Sequence, residues 1–296
     1  MLKLIKLWIR KYDAWCESLG LTPENKRSCV PYKKRRRVMT FTFIDSHCHF
    51  DFAPFKNNEV SYLQMAKDKG VTTLVVPSVN QSNWNQVSAL AHQFDEIYYA
   101  LGIHPLFITP SYERELENLG KLLDGKNKKC VAIGECGLDF WHQESDKETQ
   151  LSVFRQQCLL AKKHQLPLII HSRKSHDMVL KLLREIRPER GGVIHGFSGS
   201  LQQANQFIEL GFYIGVGGVI SYERAKKTKM VISQLPLDKI LLETDAPDMA
   251  VFGFQGEKNT PDKVQNIFEY LSLIRKESMQ TISETVYKNT TSLFGI

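Results

Sequence analysis

His47 and His49 flank Cys48 at the end of the apolar run Phe41–His47, in the motif Ile44-Asp45-Ser46-His47-Cys48-His49. Side chains of an extended strand alternate in direction, so the two imidazoles project from one face and Cys48 from the other. A lone histidine at a strand end is usually structural, but two on one edge can grip a metal ion. Glu135 ends a second such run, Ile133-Gly134-Glu135-Cys136-Gly137-Leu138-Asp139. A carboxylate after apolar residues is costly to desolvate unless a cation meets it, either an Arg or Lys or a metal. Gly134 and Gly137 suit close backbone approach there, and Asp139 is placed for a supporting or substrate role. His171 and His195 each follow an apolar run, in Leu168-Ile169-Ile170-His171-Ser172-Arg173 and Val193-Ile194-His195-Gly196-Phe197-Ser198-Gly199. A last run ends Leu241-Leu242-Glu243-Thr244-Asp245-Ala246-Pro247, where Asp245 lies at the mouth and Glu243 two positions deeper, so Asp245 is the preferred ligand. Four histidines and two carboxylates suffice for two divalent ions, with Glu135 placed to bridge them. Such ions lower the pKa of bound water and polarise a phosphoryl oxygen, and Asp245 is expected both to bind metal and to take the proton of the attacking water.

Three further residues are candidates for holding substrate. His104, in Gly102-Ile103-His104-Pro105, can donate to a substrate phosphate or to the bridging carboxylate, with a locally bonded loop histidine as the equal alternative. Arg173, two residues past His171, suits bidentate pairing with phosphate oxygens, against a surface salt bridge. Ser198, with Gly199, precedes a helix and can offer backbone N–H groups to an anion. His92, His142, His164 and His176 fall on expected helices or loops and receive no role.

The elements that must position these groups alternate along the chain. Apolar, β-branched runs at 41–47, 72–79, 97–103, 130–135, 167–171, 192–195, 212–216 and 240–244 are each followed by a helical stretch. The helices are expected at 59–68, 83–94, 113–123, 147–164, 177–186, 202–210, 225–234 and 261–275, with one more near 282–294. Nearly continuous apolar strands separated by helices indicate a parallel sheet buried on both faces. The fold class is therefore α/β, a TIM-like (β/α)8 barrel with its metal site at the C-terminal ends of the strands. An open doubly wound sheet is disfavoured, because reactive residues end at least five strands, as they do around a barrel rim.

These motifs together resemble the TatD family of metal-dependent deoxyribonucleases, a branch of the amidohydrolase-like barrels. The residues that carry the resemblance are IDSHCHFD at 44–51, GIHP at 102–105, IGECGLDF at 133–140, LIIHSR at 168–173, VIHGFSG at 193–199 and LLETDAP at 241–247. The match spans 41–296 and none of 1–38, and it looks closest to the branch known only as metal-dependent hydrolases. The resemblance implies His47, His49, Glu135 and Asp245 around one ion and Glu135, His171 and His195 around the other. It also adds Mg²⁺ to the ions that mixed imidazole and carboxylate ligation suits, among them Zn²⁺ and Mn²⁺. The expected activity is hydrolysis of DNA phosphodiester bonds, near ends or on short single strands. Hydrolysis of a small phosphoester, ester or amide on the same centre is the alternative, since fold does not fix function.

Composition bounds this reading. The 296 residues, 42% apolar and 24% charged, exclude collagen-like, disulfide-scaffold and disordered classes. The net charge of +7 is uneven: residues 1–38 carry +8 and the remainder −1, so the body offers no long basic track for duplex DNA. Two parts are expected, an amphipathic helix with a basic tether at 1–38 and the barrel at 39–296. In the first, Leu2, Ile5, Trp8, Ile9, Tyr12 and Trp15 recur at helical spacing before the run Lys33–Arg37. That leader reads as a membrane-surface or partner-binding helix, as a nucleic-acid arm, or, by slight preference, as a packing helix on a solvated linker. Met39 also suits the start of an ancestral complete chain. Six cysteines without a C-x-x-C pair read as reduced thiols and a cytoplasmic location. No signal peptide and no membrane span are expected.

Overall fold

The computed structural model describes residues 41–141 and 146–296. The leader helix, the basic run Lys33–Arg37, Met39 and His142 lie outside the described residues.

From residue 41 the chain alternates strand and helix throughout. The strands are β1 (Phe43–Asp45), β2 (Val71–Pro77), β3 (Ile97–Leu101), β4 (Cys130–Asp139), β5 (Leu168–Arg173), β6 (Gly192–Ile194), β7 (Phe212–Val216) and β8 (Ile240–Leu242). The helices are α1 (Glu59–Asp68), α2 (Gln81–Gln93), α3 (Tyr112–Asp124), α4 (Lys147–His164), α5 (His176–Ile186), α6 (Leu201–Glu209), α7 (Lys226–Gln234), α8 (Val264–Ile274) and α9 (Met279–Phe294). All seven neighbouring strand pairs are parallel and follow chain order. The ring is completed by backbone bonds past the ends of β1 and β8: Ser46 N–H to Leu242 O at 3.0 Å, Asp245 N–H to His47 O at 2.9 Å and His49 N–H to Ala246 O at 2.8 Å. This is the expected α/β barrel.

Alternation along the strands separates two apolar layers. Leu74 and Val76, Leu168 and Ile170, Ile194, and Leu242 join the large core between strands and helices. Val75, Ile169, Val193 and Leu241, one position out of phase, form a second cluster with Ala100 inside the barrel. The inward phase continued past the strand ends delivers His171, His195 and Glu243 above that apolar floor. The helices close the outer layer by amphipathic packing. Buried Val179, Leu180, Leu182, Leu183 and Ile186 form one face of α5, and Asn80 caps α2 by accepting from Ser82 N–H.

β4 departs from the expected 130–135 span. It runs to Asp139, and its register against β5 slips between Ile133 and Cys136. Ile133, Cys136 and Leu138 all face the helices, so the slip is what turns Glu135 to the barrel interior. Its glycines are sterically required: a Cβ on Gly134 would stand 2.6 Å from Ile169 Cβ, and one on Gly137 2.0 Å from His171 O, with φ at +135°. The His47-Cys48-His49 segment likewise lies just past β1, and is held extended by a parallel bridge from Cys48 to Ala246.

Candidate metal centre

Glu135 is the hub of the strand-end cluster. Its Oε2 lies 3.3 Å from His47 Nε2 and 3.2 Å from His49 Nε2. Its Oε1 lies 2.8 Å from His195 Nε2, 3.1 Å from His171 Nδ1 and 3.3 Å from His104 Nε2. Asp245 completes the first half, its Oδ1 3.4 Å from His47 Nε2 and 3.7 Å from His49 Nε2. The structure thus brings together His47, His49, Glu135, His171, His195 and Asp245, from within β4 and from in or just past the ends of β1, β5, β6 and β8. His47, His49 and Asp245 form one ligand-competent group and His47, Glu135 and His195 another, while Glu135 and His171 form a third with His104, a residue expected to meet substrate and not metal.

Supporting groups fix several of these side chains. Asp139, fully buried, places Oδ2 2.9 Å from His171 Nε2, which leaves Nδ1 to face Glu135. Such carboxylate–imidazole pairs orient metal-binding histidines. His104 Nδ1 accepts from Leu106 N–H at 3.1 Å and so presents Nε2 to the centre. Asp45 takes the N–H of both His47 and Thr244, tying the two ligand-bearing segments together. Asp245 sits at φ 55°, a left-handed conformation that Asp tolerates better than most residues and that occurs characteristically at functional sites. Glu243 is fully buried beneath it, its Oε1 4.0 Å from His195 Nδ1. His195 Nδ1 and Glu243 Oε2 have no hydrogen-bond partner, and neither do His47 Nδ1 and His49 Nδ1.

Protonation alone is a poor solution for so dense a cluster. Burial and the neighbouring His195 depress His47 to about 3, whereas His195, drawn down by burial, is carried up to about 10 by Glu135 and the other carboxylates. His49, likewise opposed by burial, rises to about 9 beside Glu135. Burial would raise Glu135, but the imidazoles of His195, His104 and His47 hold it well below the usual carboxylate range. Burial raises Asp245. An anionic Glu135 ringed by imidazole nitrogens at 2.8–3.3 Å is a donor set that divalent cations fit.

Arg173 and Ser198 are not part of the cluster. Both are exposed, Arg173 at the end of β5 and Ser198 in the turn before α6. A cavity of about 820 Å³ opens at the other end of the strands, lined by Cys130, Pro167 and Arg190 among others, and includes none of the six candidate ligands. Trp141, whose ring both Arg173 and Lys174 overlie, and Glu243 as a neighbour of His195 are not indicated by the motifs of the sequence. Only tertiary adjacency reveals them. The four described cysteines, Cys48, Cys130, Cys136 and Cys158, are free thiols.

A closed parallel barrel that gathers imidazoles and carboxylates at its C-terminal rim defines a metal-dependent hydrolase barrel. Residues 44–295 match the family described as TatD related DNase, and residues 1–36 match a separate family of unknown function, DUF5363. The chain is 44% identical over 258 residues to the uncharacterized metal-dependent hydrolase YjjV of Escherichia coli K12, covering 87% of this chain and all of that one. The crystal structure of YjjV superposes with a TM-score of 0.84. An uncharacterized metal-dependent hydrolase of Haemophilus influenzae is 38% identical over 266 residues, covering 86% of this chain and 99% of that one. A TatD-family hydrolase of Entamoeba histolytica, 25% identical, superposes with a TM-score of 0.75 over 86% of this chain and 99% of that one. The chain belongs to the TatD family and is a metal-dependent hydrolase. No helix among the described residues is long and apolar enough to cross a membrane.

Proposed function

We propose that the protein is a two-metal phosphodiesterase that cleaves DNA near ends or on short single strands. The observation that carries this reading is the division of Glu135, one oxygen serving the His47, His49 and Asp245 side and the other the His171 and His195 side. In the proposed assignment His47, His49, Glu135 and Asp245 hold one ion, and Glu135, His171 and His195 hold the second. Mg²⁺, Mn²⁺ and Zn²⁺ are the candidate ions. Bound there, they supply an acidified water and a Lewis acid toward the phosphoryl oxygens. Asp245, at the mouth with 16% of its side chain exposed, accepts the proton of the attacking water, a role that its burial-raised pKa suits. His104 directs Nε2 at Glu135 and at substrate oxygen beside it, while Arg173 and Ser198 meet flanking anionic groups from the exposed rim.

Protein stripped with a chelator and resupplied with each ion, assayed on short single-stranded and duplex DNA beside Glu135→Ala, tests the reading. Cleavage that returns with metal and is lost by at least about a thousandfold in Glu135→Ala is the expected result. Metal uptake without cleavage of any DNA would overturn the nuclease assignment and leave hydrolysis of a small phosphoester, ester or amide.

A further inference from the structure

Trp141 follows β4 and is about half exposed, at 48%. Its backbone N–H donates to Asp139 Oδ1 at 2.9 Å, and the other oxygen of that carboxylate holds His171 Nε2 at 2.9 Å. One carboxylate therefore links the backbone of Trp141 to a candidate ligand of the metal centre. Two cations from the end of β5 lie over the ring, the Arg173 guanidinium carbon 4.3 Å and Lys174 Nζ 4.1 Å from its centroid.

Consecutive residues of an extended strand point to opposite sides and would not share one ring. Lys174 escapes that rule through a left-handed backbone, φ 54°, which side chains with a Cβ rarely adopt. Among the described residues, no ion pair engages either cation. A cation resting on an aromatic face is localised without using its N–H donors, and a guanidinium keeps its in-plane fork free for a planar or tetrahedral oxyanion. An indole that holds two cations, neither ion-paired among the described residues, on a strained turn near the candidate metal centre has the properties of an anion clamp.

We propose that Trp141, Arg173 and Lys174 form a subsite for a second phosphate of the substrate, the one flanking the scissile bond on a single strand. This rests on the phosphodiesterase reading above and adds to it a preference for a chain of phosphates over an isolated diester. Arg173 and Lys174 contact the phosphate, and Trp141 is the positioning residue that holds both.

The test uses the full chain loaded with Mn²⁺ and two substrates: bis(p-nitrophenyl) phosphate, which has no flanking phosphate, and a ten-nucleotide single strand. Trp141→Ala is expected to lower the ratio of kcat/KM for the strand over that for the diester at least tenfold, chiefly through KM, and Trp141→Phe to restore most of it. Lys174→Ala should reduce the slope of log KM for the strand against log salt concentration by about 0.7, the contribution of one lost phosphate contact on a single strand. A ratio that matches the parent in Trp141→Ala, shown folded by circular dichroism, together with a slope that matches the parent in Lys174→Ala, would overturn the clamp and leave the phosphodiesterase standing. If Trp141→Ala does not fold, the Lys174→Ala slope decides alone. A parent enzyme that hydrolyses the diester but not the strand overturns both the nuclease reading and the clamp.

Discussion

Glu135 stands at the centre of a set of imidazoles, and two of these, His171 and His195, have a carboxylate one layer further out. Asp139 binds the ring nitrogen of His171 that faces away from Glu135. Glu243 stands in the corresponding place for His195, and it has room there because position 215 is glycine: a Cβ at 215 would lie 2.5 Å from Glu243 Oε2. Asp139→Asn and Glu243→Gln are each expected to weaken ion retention by ten- to a hundredfold without removing a ligand. Titration of the stripped proteins with Mn²⁺ against a chelating dye checks this, and affinities equal to the parent's would refute the orienting role. Asp245→Asn removes the proton acceptor while leaving an amide oxygen at the ligand position, and is assayed at saturating Mn²⁺ with metal content measured alongside. It should keep its metal content and lose about two orders of magnitude or more in kcat.

At the scale of elements, the decisive feature is the slip in β4. Gly134 lets the strand pass within contact of Ile169 on β5, and the slip aims Glu135 inward. Gly134→Ala should therefore cost about 1–3 kcal/mol, as overpacking against a neighbouring strand does. Urea unfolding followed by circular dichroism reads that loss, with the slope m unchanged. Much of the architecture was legible in the chain, because eight apolar runs each followed by amphipathic helical periodicity leave few alternatives to a parallel barrel. The strand-end ligands could be read for the same reason: His171 and His195 continue the phase of Ile169 and Val193, and that phase is local information. The slip was not legible, since a register depends on the partner strand. The full length of β4 and the left-handed turns at Lys174 and Asp245 are hidden likewise, because each is set by residues distant in sequence, whereas the approach of His104 to Glu135 is one of the two contacts that the motif Gly102–Pro105 suggested.

At the scale of the whole molecule, pH and ions act on the same groups. Without metal, His195 and His49 have pKa values carried up to about 10 and 9 by Glu135 and its neighbours against the effect of burial. Their stabilising contribution is complete below the ordinary histidine value of about 6.5 and is lost as pH rises toward 9 and 10. Burial of Asp45, which lifts its pKa to about 8, removes stability in the same direction on the way to that pH. Metal-stripped protein should therefore show a falling Tm from pH 6.5 upward. Ions compete with those protons, so the increase in Tm on adding Mn²⁺ should widen between pH 6.5 and 8.5. Thermal scans with and without Mn²⁺ at half-unit steps check both, and a constant difference would contradict them. A chain beginning at Met39 should fold and retain hydrolysis, since the match to the family starts at residue 44. Loss of solubility or activity in that shortened chain would show that residues 1–38 are integral to the barrel.

The seam between β1 and β8 joins residues about two hundred positions apart: His47 accepts from Asp245 N–H, and Asp45 from Thr244. Ligands for the first ion stand on both sides of that seam. A ribosome-bound chain that has not yet released its eighth strand holds five of the six candidate ligands but has neither the ring closure nor Asp245. The ligand set of the first ion is thus complete only once β8 has closed on β1, and a chain cut short of residue 245 lacks it.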